Sequence, residues 1–517
     1  MKRLYLVLIL VAGAFVFFSF LAKTDRRNDE GPNGNKDISV FYDAGLPESA
    51  VIVQDVAERL EEAGYEVQSH SFDPVEISRF VMSHPDALFI TREPAKCNLY
   101  EMESYRYLLV KVIVEKKASG TGSVTGDEFD DILLDRGTRS VSRKGTRVIS
   151  YQDLTLEQRP LPVDGVLPSI SNIRNGSYSK VFRAHLQVRK GGLFHSGAGD
   201  ELLYDFGGWL DRSFTIIAGG DVMLARGTGK YMKRHGYIYP FLDIAREIDR
   251  HDISVANLES PLSSGGKKFF PFKGIYFRAA PGAIEGLTFS GFDVMALANN
   301  HALDWGVGAI SETMDLLRKK GIQYTGVGRS REEALTPAVV YAGRTSVAFL
   351  SYNEIYPLSV DEPGVRMITL SIDDESIEEE IGEIKRKYDL LVVLVHSGIE
   401  YVKHPEEEKI KRMRKLVDLG ADVVLGTHPH VIQDIEIYRG GLIVYSLGNL
   451  IFDQNWSEDT SLGLLLEISF IEDRPVYYDP KVVHIKNAQA RIITNDDAES
   501  VLSSLYSERR RYAYAKR

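Results

Sequence analysis

The sequence predicts an α/β protein of two unequal domains. The larger is a layered arrangement of sheet and helix, and the smaller is an N-terminal unit behind a membrane anchor. Three observations predict it. Between about residues 214 and 452, five apolar runs of strand length each end at residue types that ligate metals, with amphipathic helical stretches between them. From Asp37 onward, a short apolar strand, a helical stripe and further strands follow one another as β-α-β. Ahead of both lies Leu4 to Ala22, a run without a charge whose length nearly matches a membrane span.

Composition bounds the function. At 517 residues the chain exceeds one ordinary core, and two or three domains are expected. A net charge of −11 argues against nucleic acid as a partner, which would require a basic footprint. A single cysteine, Cys97, excludes an intrachain disulfide and a cysteine-based zinc site.

Taken in order, residues 1–27 read as a signal anchor: Lys2 and Arg3 precede the apolar run, and Lys23, Arg26 and Arg27 follow it. A cleaved signal peptide with a secreted product is the alternative. Either places the bulk of the chain outside the cytoplasm, on the cell membrane if the anchor is kept. Residues 28–36, rich in Asn, Gly, Asp and Pro, form a tether. Residues 37–190 form the smaller α/β domain. Its strands are expected at 38–42, 65–70, 87–90 and 108–114, its helix at 48–63, and a polar loop at 118–131. Glycine pairs at 191–192 and 207–208 bracket a linker, 191–212.

The main domain is expected at 213–486. Its five strand ends carry Asp221; Asn257 and Glu259; Asn299, Asn300 and His301; His396; and His428 and His430. In α/β proteins ligands bind beyond the carboxyl ends of strands, and carboxylate, amide oxygen and imidazole together suit a divalent metal. The stretch Gly426-Thr427-His428-Pro429-His430 is the most specific of the five, because a tight turn aims two imidazoles into one place. Helices are expected at 308–320, 377–388 and 410–417, and later strands at 464–471 and 476–485. Residues 487–517 read as a basic, aromatic tail with Arg509, Arg510, Arg511, Lys516 and Arg517.

The segments GGDVML at 219–224, ANLESPL at 256–262, GFDVMALANNHALDWG at 291–306, HSGIEY at 396–401, GTHPHV at 426–431 and YSLGNLIFDQ at 445–454 resemble the capsule-synthesis CapA family, also called the poly-γ-glutamate synthesis family. That family looks like a branch of the calcineurin-like metallophosphatase fold, so the resemblance implies a metallophosphatase-like main domain. It also implies a first shell of Asp221, Glu259, Asn300, His396 and His428, with His430 beside them. One or two ions of Mn, Fe, Zn or Mg would be held, with His301 as general acid and Asp304 orienting it. Asn449 would either shape the site floor or make a turn. The chain departs from the metallophosphatase pattern at Met223, where Asp-x-His has its histidine, and at Asn257-Leu258-Glu259, where a Gly-Asp-x-x-Asp motif is usual.

The implied role is in capsule or poly-γ-glutamate synthesis or export, either as a metal-dependent hydrolase or transferase or as a non-catalytic accessory or polymer-binding protein with a degenerate site. The implied partners are an anionic envelope polymer such as poly-γ-glutamate and other capsule-synthesis membrane proteins. Separately, Pro162 to Ser169 and Asn172 to Tyr178 resemble a stretch of phosphate-type periplasmic solute-binding proteins. Their Ser, Asn and Arg residues would either contact an anion or make turns.

Overall fold

The computed structural model describes residues 37–43, 49–63, 65–72, 87–91, 102–115, 146–164, 166–189, 209–270, 273–362, 365–372 and 376–514. The anchor and tether at 1–36, Cys97, the loop at 118–131, the glycine pairs at 191–192 and 207–208, and Lys516 and Arg517 lie outside them. Among the described residues no helix is long and apolar enough to cross a membrane. Two compact units are present, the described parts of Met1–Tyr107 with Arg183–Phe206, and of Leu108–Phe182 with Gly207–Arg517.

In the first unit, strand Asp37–Asp43 pairs in parallel with Glu66–Phe72 on one side and Leu88–Thr91 on the other, as β-α-β order requires. Helix Ser49–Glu62 is the crossover. Its Ile52, Val56 and Leu60 are fully buried, as are Val40 and Leu88 in the sheet.

The second unit is a four-layer sandwich. One sheet runs, in spatial order, through Gln323–Thr325, Val294–Ala296, Ile253–Leu258, Ser213–Val222, Leu462–Ile471, Arg474–Lys486 and Gln489–Ile492. The first four are mutually parallel. The other sheet runs through Ala338–Ala342, Thr345–Asn353, Leu390–His396, Val423–Thr427, Gly441–Val444 and Ile435–Tyr438. Its central four strands are likewise parallel. Strand alternation sorts the side chains into layers. Ile216 and Ala218 of the first sheet pack with Val392, Leu394, Val423 and Leu425 of the second, filling the space between sheets. Ile217 points the other way, into a cluster with Ile310, Met314 and Leu317 of helix Gly306–Lys319. Leu391, Val393 and Val395 pack outward with Ile377, Ile381, Met413 and Leu416 of helices Ile377–Lys387 and Glu407–Asp418. Burial on both faces explains why these strands read as unbroken apolar runs rather than alternating ones.

Two boundaries differ from the sequence reading. Residues 108–182, expected with the N-terminal domain, belong to the second unit. Leu154, Leu161, Val163, Ile170, Ile173 and Tyr178 form one cluster with Trp209, Ile471, Val476 and Tyr477, so the end of the Leu462–Lys486 hairpin is covered by this segment. The polar residues there make local structure. Ser169 caps helix Ile170–Arg174 by accepting from the Asn172 N–H, and Arg174 is spent on Asp252 and the Ser213 carbonyl. Within the expected tail, residues 489–492 and 496–514 form regular elements. Gln489–Ile492 extends the first sheet, and helix Asp496–Tyr514 buries Ala498 and Leu505 against the inter-sheet cluster.

Candidate metal centre

The carboxyl ends of both parallel arrays deliver the predicted residues into one buried place. Asp221 is the penultimate residue of Ser213–Val222, Glu259 directly follows Ile253–Leu258, and Asn300 and His301 follow Val294–Ala296. His396 ends Leu390–His396, and His428 follows Val423–Thr427. Close backbone approach fixes two of these ends. A Cβ on Gly220 would lie 1.9 Å from the Gly448 carbonyl oxygen, and one on Gly426 would lie 1.8 Å from that of Tyr445. Only glycine fits either position.

The donors converge. Ligand atoms of Asp221, Glu259 and His430 lie within 4.8 Å of one another, and so do those of Glu400, His428 and His430. Glu259 Oε1 stands 3.9 Å from His396 Nε2, 3.8 Å from His430 Nε2 and 3.9 Å from His301 Nε2. Asn300 Oδ1 lies 3.1 Å from His396 Nε2. On its other side, His396 Nδ1 is held by Thr427 Oγ1 at 3.0 Å and the Asn257 amide at 3.3 Å. Asn257 also donates to Asp221 Oδ1 at 2.7 Å. His430 Nδ1 meets Asn449 Oδ1 at 3.0 Å, so Asn449 does form part of the site wall.

His428 and His430 both have positive φ, 93° and 57°, and Pro429 lies between them. For non-glycine residues such backbone costs about 1–3 kcal/mol each. The turn is clamped by Asp221 Oδ2, which accepts the His428 N–H, and by Tyr401, whose N–H donates to the Pro429 carbonyl. Strain held in this way turns both imidazoles inward.

A cation is what these donors lack. Both Glu259 oxygens are buried without a hydrogen-bond partner, as is His428 Nδ1. Burial, with Asp221 beside it, pushes the Glu259 carboxyl well above its ordinary range. Burial, then neighbouring imidazoles, pushes His396 and His428 well below theirs, so both rings are neutral. Orphaned buried carboxylate oxygens beside neutral imidazoles fit a divalent ion. A third group, Glu247, His251 and Glu467, does not fit one as well, because Lys481 Nζ already sits 3.0 Å from Glu467 and 3.4 Å from Glu247.

Glu259 gives a pH-dependent expectation. A carboxyl whose folded pKa is raised holds its proton longer in the folded state, so metal-free stability falls as pH rises from the unfolded value toward the raised one. In chelator, Glu259→Gln should therefore melt above wild type at pH 7–8, with the gap closing toward pH 4.5. With saturating metal the order should reverse. Identical pH profiles for the two proteins in chelator would refute the orphaned-carboxylate account.

His301 stands at the rim. Its Nδ1 meets Asp304 Oδ2 at 2.8 Å, and Phe277 stacks on the ring at 3.8 Å. Asp304 also accepts from the Phe277 N–H and the Lys273 ammonium, and Lys273 donates to the Asn300 carbonyl as well. Asp304 thus holds the His301 ring, and the N-cap of helix Gly306–Lys319 is Trp305. Burial lowers the His301 pKa to about 4, against the pull of Asp304. Burial keeps the ring neutral, with its Nδ1 between Asp304 Oδ2 and the Lys273 ammonium, the latter at 3.2 Å.

Sequence reasoning missed Glu400, Lys273, Thr427 and Lys409. Glu400 lies in the HSGIEY segment, four residues beyond the strand end. Lys409 is buried, donates to the Ser397 carbonyl and Gln433, and has its pKa lowered by burial to about 7. It pins the loop that carries Glu400.

Residues 215–454 match the family described as bacterial capsule synthesis protein PGA_cap. Among its relatives, the capsule biosynthesis protein CapA of Bacillus anthracis is 26% identical over 295 residues, covering 55% of this chain and 71% of that protein. The PGA biosynthesis protein CapA of Bacillus subtilis is 30% identical over 252 residues, covering 48% of this chain and 65% of that protein, just under two thirds of its length. Every candidate ligand lies inside the PGA_cap match, and the first unit lies outside it. An ABC-type phosphate transport receptor from Vibrio cholerae aligns at 10% identity, covering 32% of this chain and 92% of that one, with a TM-score of 0.17. That likeness carries no argument about the first unit.

Proposed function

We propose that this chain is a cell-envelope protein of capsule or poly-γ-glutamate synthesis or export, and that its PGA_cap domain is a metallophosphatase-like, metal-dependent hydrolase or transferase. The observation that carries the reading is the buried, unpartnered Glu259 carboxylate amid Asp221, His396, His428 and His430, with the His301–Asp304 pair beside it. The four-layer sandwich, with donors at the carboxyl ends of both parallel arrays, supports it. So do the names of the two Bacillus relatives.

Asp221, Glu259, Asn300, His396, His428 and His430 would hold one or two divalent ions. Such an ion supplies a Lewis acid and lowers the pKa of bound water. The chain's own groups do the rest. Asn257 and Thr427 fix the His396 ring, Asp304 fixes His301, and His301 Nε2, protonated from solvent, would donate that proton to the departing oxygen. The same proposal places the bulk of the chain outside the cytoplasm, tethered through residues 1–27, where it would meet the anionic polymer and other capsule-synthesis membrane proteins.

The accessory reading has one observation in its favour. Met223, at the position where the resembling fold has a nitrogen ligand, is fully buried in the apolar cluster, and its Sδ accepts the Ala225 N–H at 3.1 Å. Elemental analysis of the purified chain, followed by incubation with phosphoesters and with poly-γ-glutamate of defined length, separates the two. Bound metal with shortened polymer or released phosphate is the expected result. Bound metal without turnover on either class would favour the accessory reading, and absence of metal would sink both.

A further inference from the structure

We infer that the strap formed by residues 266–270 and 273–278, along the rim of the metal site, is a docking surface for a flexible polycarboxylate chain. The inference rests on the polymer reading above and assigns it a binding element. The strap is anchored to the site at three points. The Phe269 N–H donates to the Asp304 carbonyl, Lys273 bonds the Asn300 carbonyl and Asp304, and the Phe277 N–H donates to Asp304 Oδ2. At its start, Gly266 has φ 106° and would set a Cβ 2.5 Å from the Trp305 carbonyl oxygen, so the strap lies hard against Trp305.

Toward the strap's end, side chains alternate. Phe277 and Ala279 are buried, with Phe277 stacked on His301, while Tyr276 and Arg278 are partly exposed. On this outer face the cations are presented rather than neutralised. Lys268 Nζ lies 4.4 Å from the Tyr276 ring centre and 6.0 Å from that of Trp305, and the Arg278 guanidinium lies 3.8 Å from the Trp305 ring centre. Lys267 is exposed beside them. Among the described residues, none of the three pairs with a carboxylate. Glu312 feels the Arg278 charge, but its carboxylate is taken up by Ser263 and Ser264. A cation over an aromatic face keeps its position without losing its charge.

Uncompensated cations are notable on a chain of net charge −11. They attract an anion, and their arrangement selects its type. Single positive charges held over partly exposed aromatic rings complement a chain that carries single carboxylates separated by methylene spacers. Because Trp305 adjoins Asp304, and Arg278 adjoins Phe277, such a chain would run directly past His301.

The test uses the full-length, metal-loaded protein and poly-γ-glutamate of defined length, with free glutamate, a neutral polyglutamine-type chain and inorganic polyphosphate as comparison probes. Wild type should bind poly-γ-glutamate in preference to the other three, and more weakly as salt rises. Lys268→Gln/Arg278→Gln should bind it about tenfold more weakly and with a shallower salt dependence, at unchanged metal content. Arg278→Lys should retain most of the affinity. The Lys268→Gln single variant, at an exposed position, should show part of the loss and guards against misfolding of the double. If wild type binds the polymer and the double variant binds it equally well, the strap assignment is overturned while the polymer reading stands. If metal-loaded wild type does not bind the polymer, the polymer reading itself fails. Tighter, strap-dependent binding of polyphosphate would overturn the carboxylate assignment.

Discussion

Chelation should lower the melting temperature of the second unit, and His396→Ala/His428→Ala should erase most of that shift. An ion bound only to the folded state stabilises it by RT ln(1 + [L]/Kd), about 2.7 kcal/mol at a hundredfold excess over Kd, which is several degrees for a domain of this size. Both imidazoles are buried and neutral, and His428 Nδ1 has no other partner. Removing both deletes donors rather than surface charge. Differential scanning calorimetry with and without chelator, alongside metal analysis, measures the effect. Equal metal content in the double variant and wild type would refute the shared centre.

His301→Ala should behave oppositely on the two readouts. Metal content should stay at the wild-type level, because the His301 ring is stacked on Phe277 and its Nδ1 lies 2.8 Å from Asp304 Oδ2. Turnover should fall roughly 10²–10⁴-fold, the usual contribution of a positioned proton-transfer group. His301→Ala also strips the ring stacked on Phe277, so its melting curve must be compared with wild type. Loss of metal in this variant would make His301 a ligand. Unchanged turnover, on a substrate that wild type does process, would remove it from the chemistry.

Much of the site was legible because buried parallel strands announce themselves. Runs such as Leu390–Val395 are apolar throughout, so the first polar residue after each one is conspicuous. Asp221, Glu259, His396 and His428 all sit at such breaks. Glu400 and Lys273 do not. Glu400 reaches the histidines through a loop whose course is set by Lys409 and by the Tyr401 N–H on Pro429, neither of which has a sequence signature. Lys273 lies within a long connection after Ile253–Leu258, and only tertiary contacts bring its ammonium to Asp304. The strand Gln489–Ile492 escaped notice because four residues make too short a pattern, and its pairing with Val483 to Lys486 is what defines it. The placement of 108–182 was invisible for a related reason. Its apolar residues are ordinary, and their partners, Ile471 and Tyr477, are some three hundred positions away.

That same remoteness would govern when a metal is acquired. The hydrogen bond from His428 to Asp221 joins residues 207 positions apart. Glu400, His428 and His430 lie within one short stretch, but Asp221 and Glu259 are far from it in sequence, so the full ligand set would exist only after both sheets have closed. A chain exported before folding would then take its metal from whatever compartment it folds in. The identity of the ion would be set by local availability at that destination, not by the cytoplasmic order of affinities.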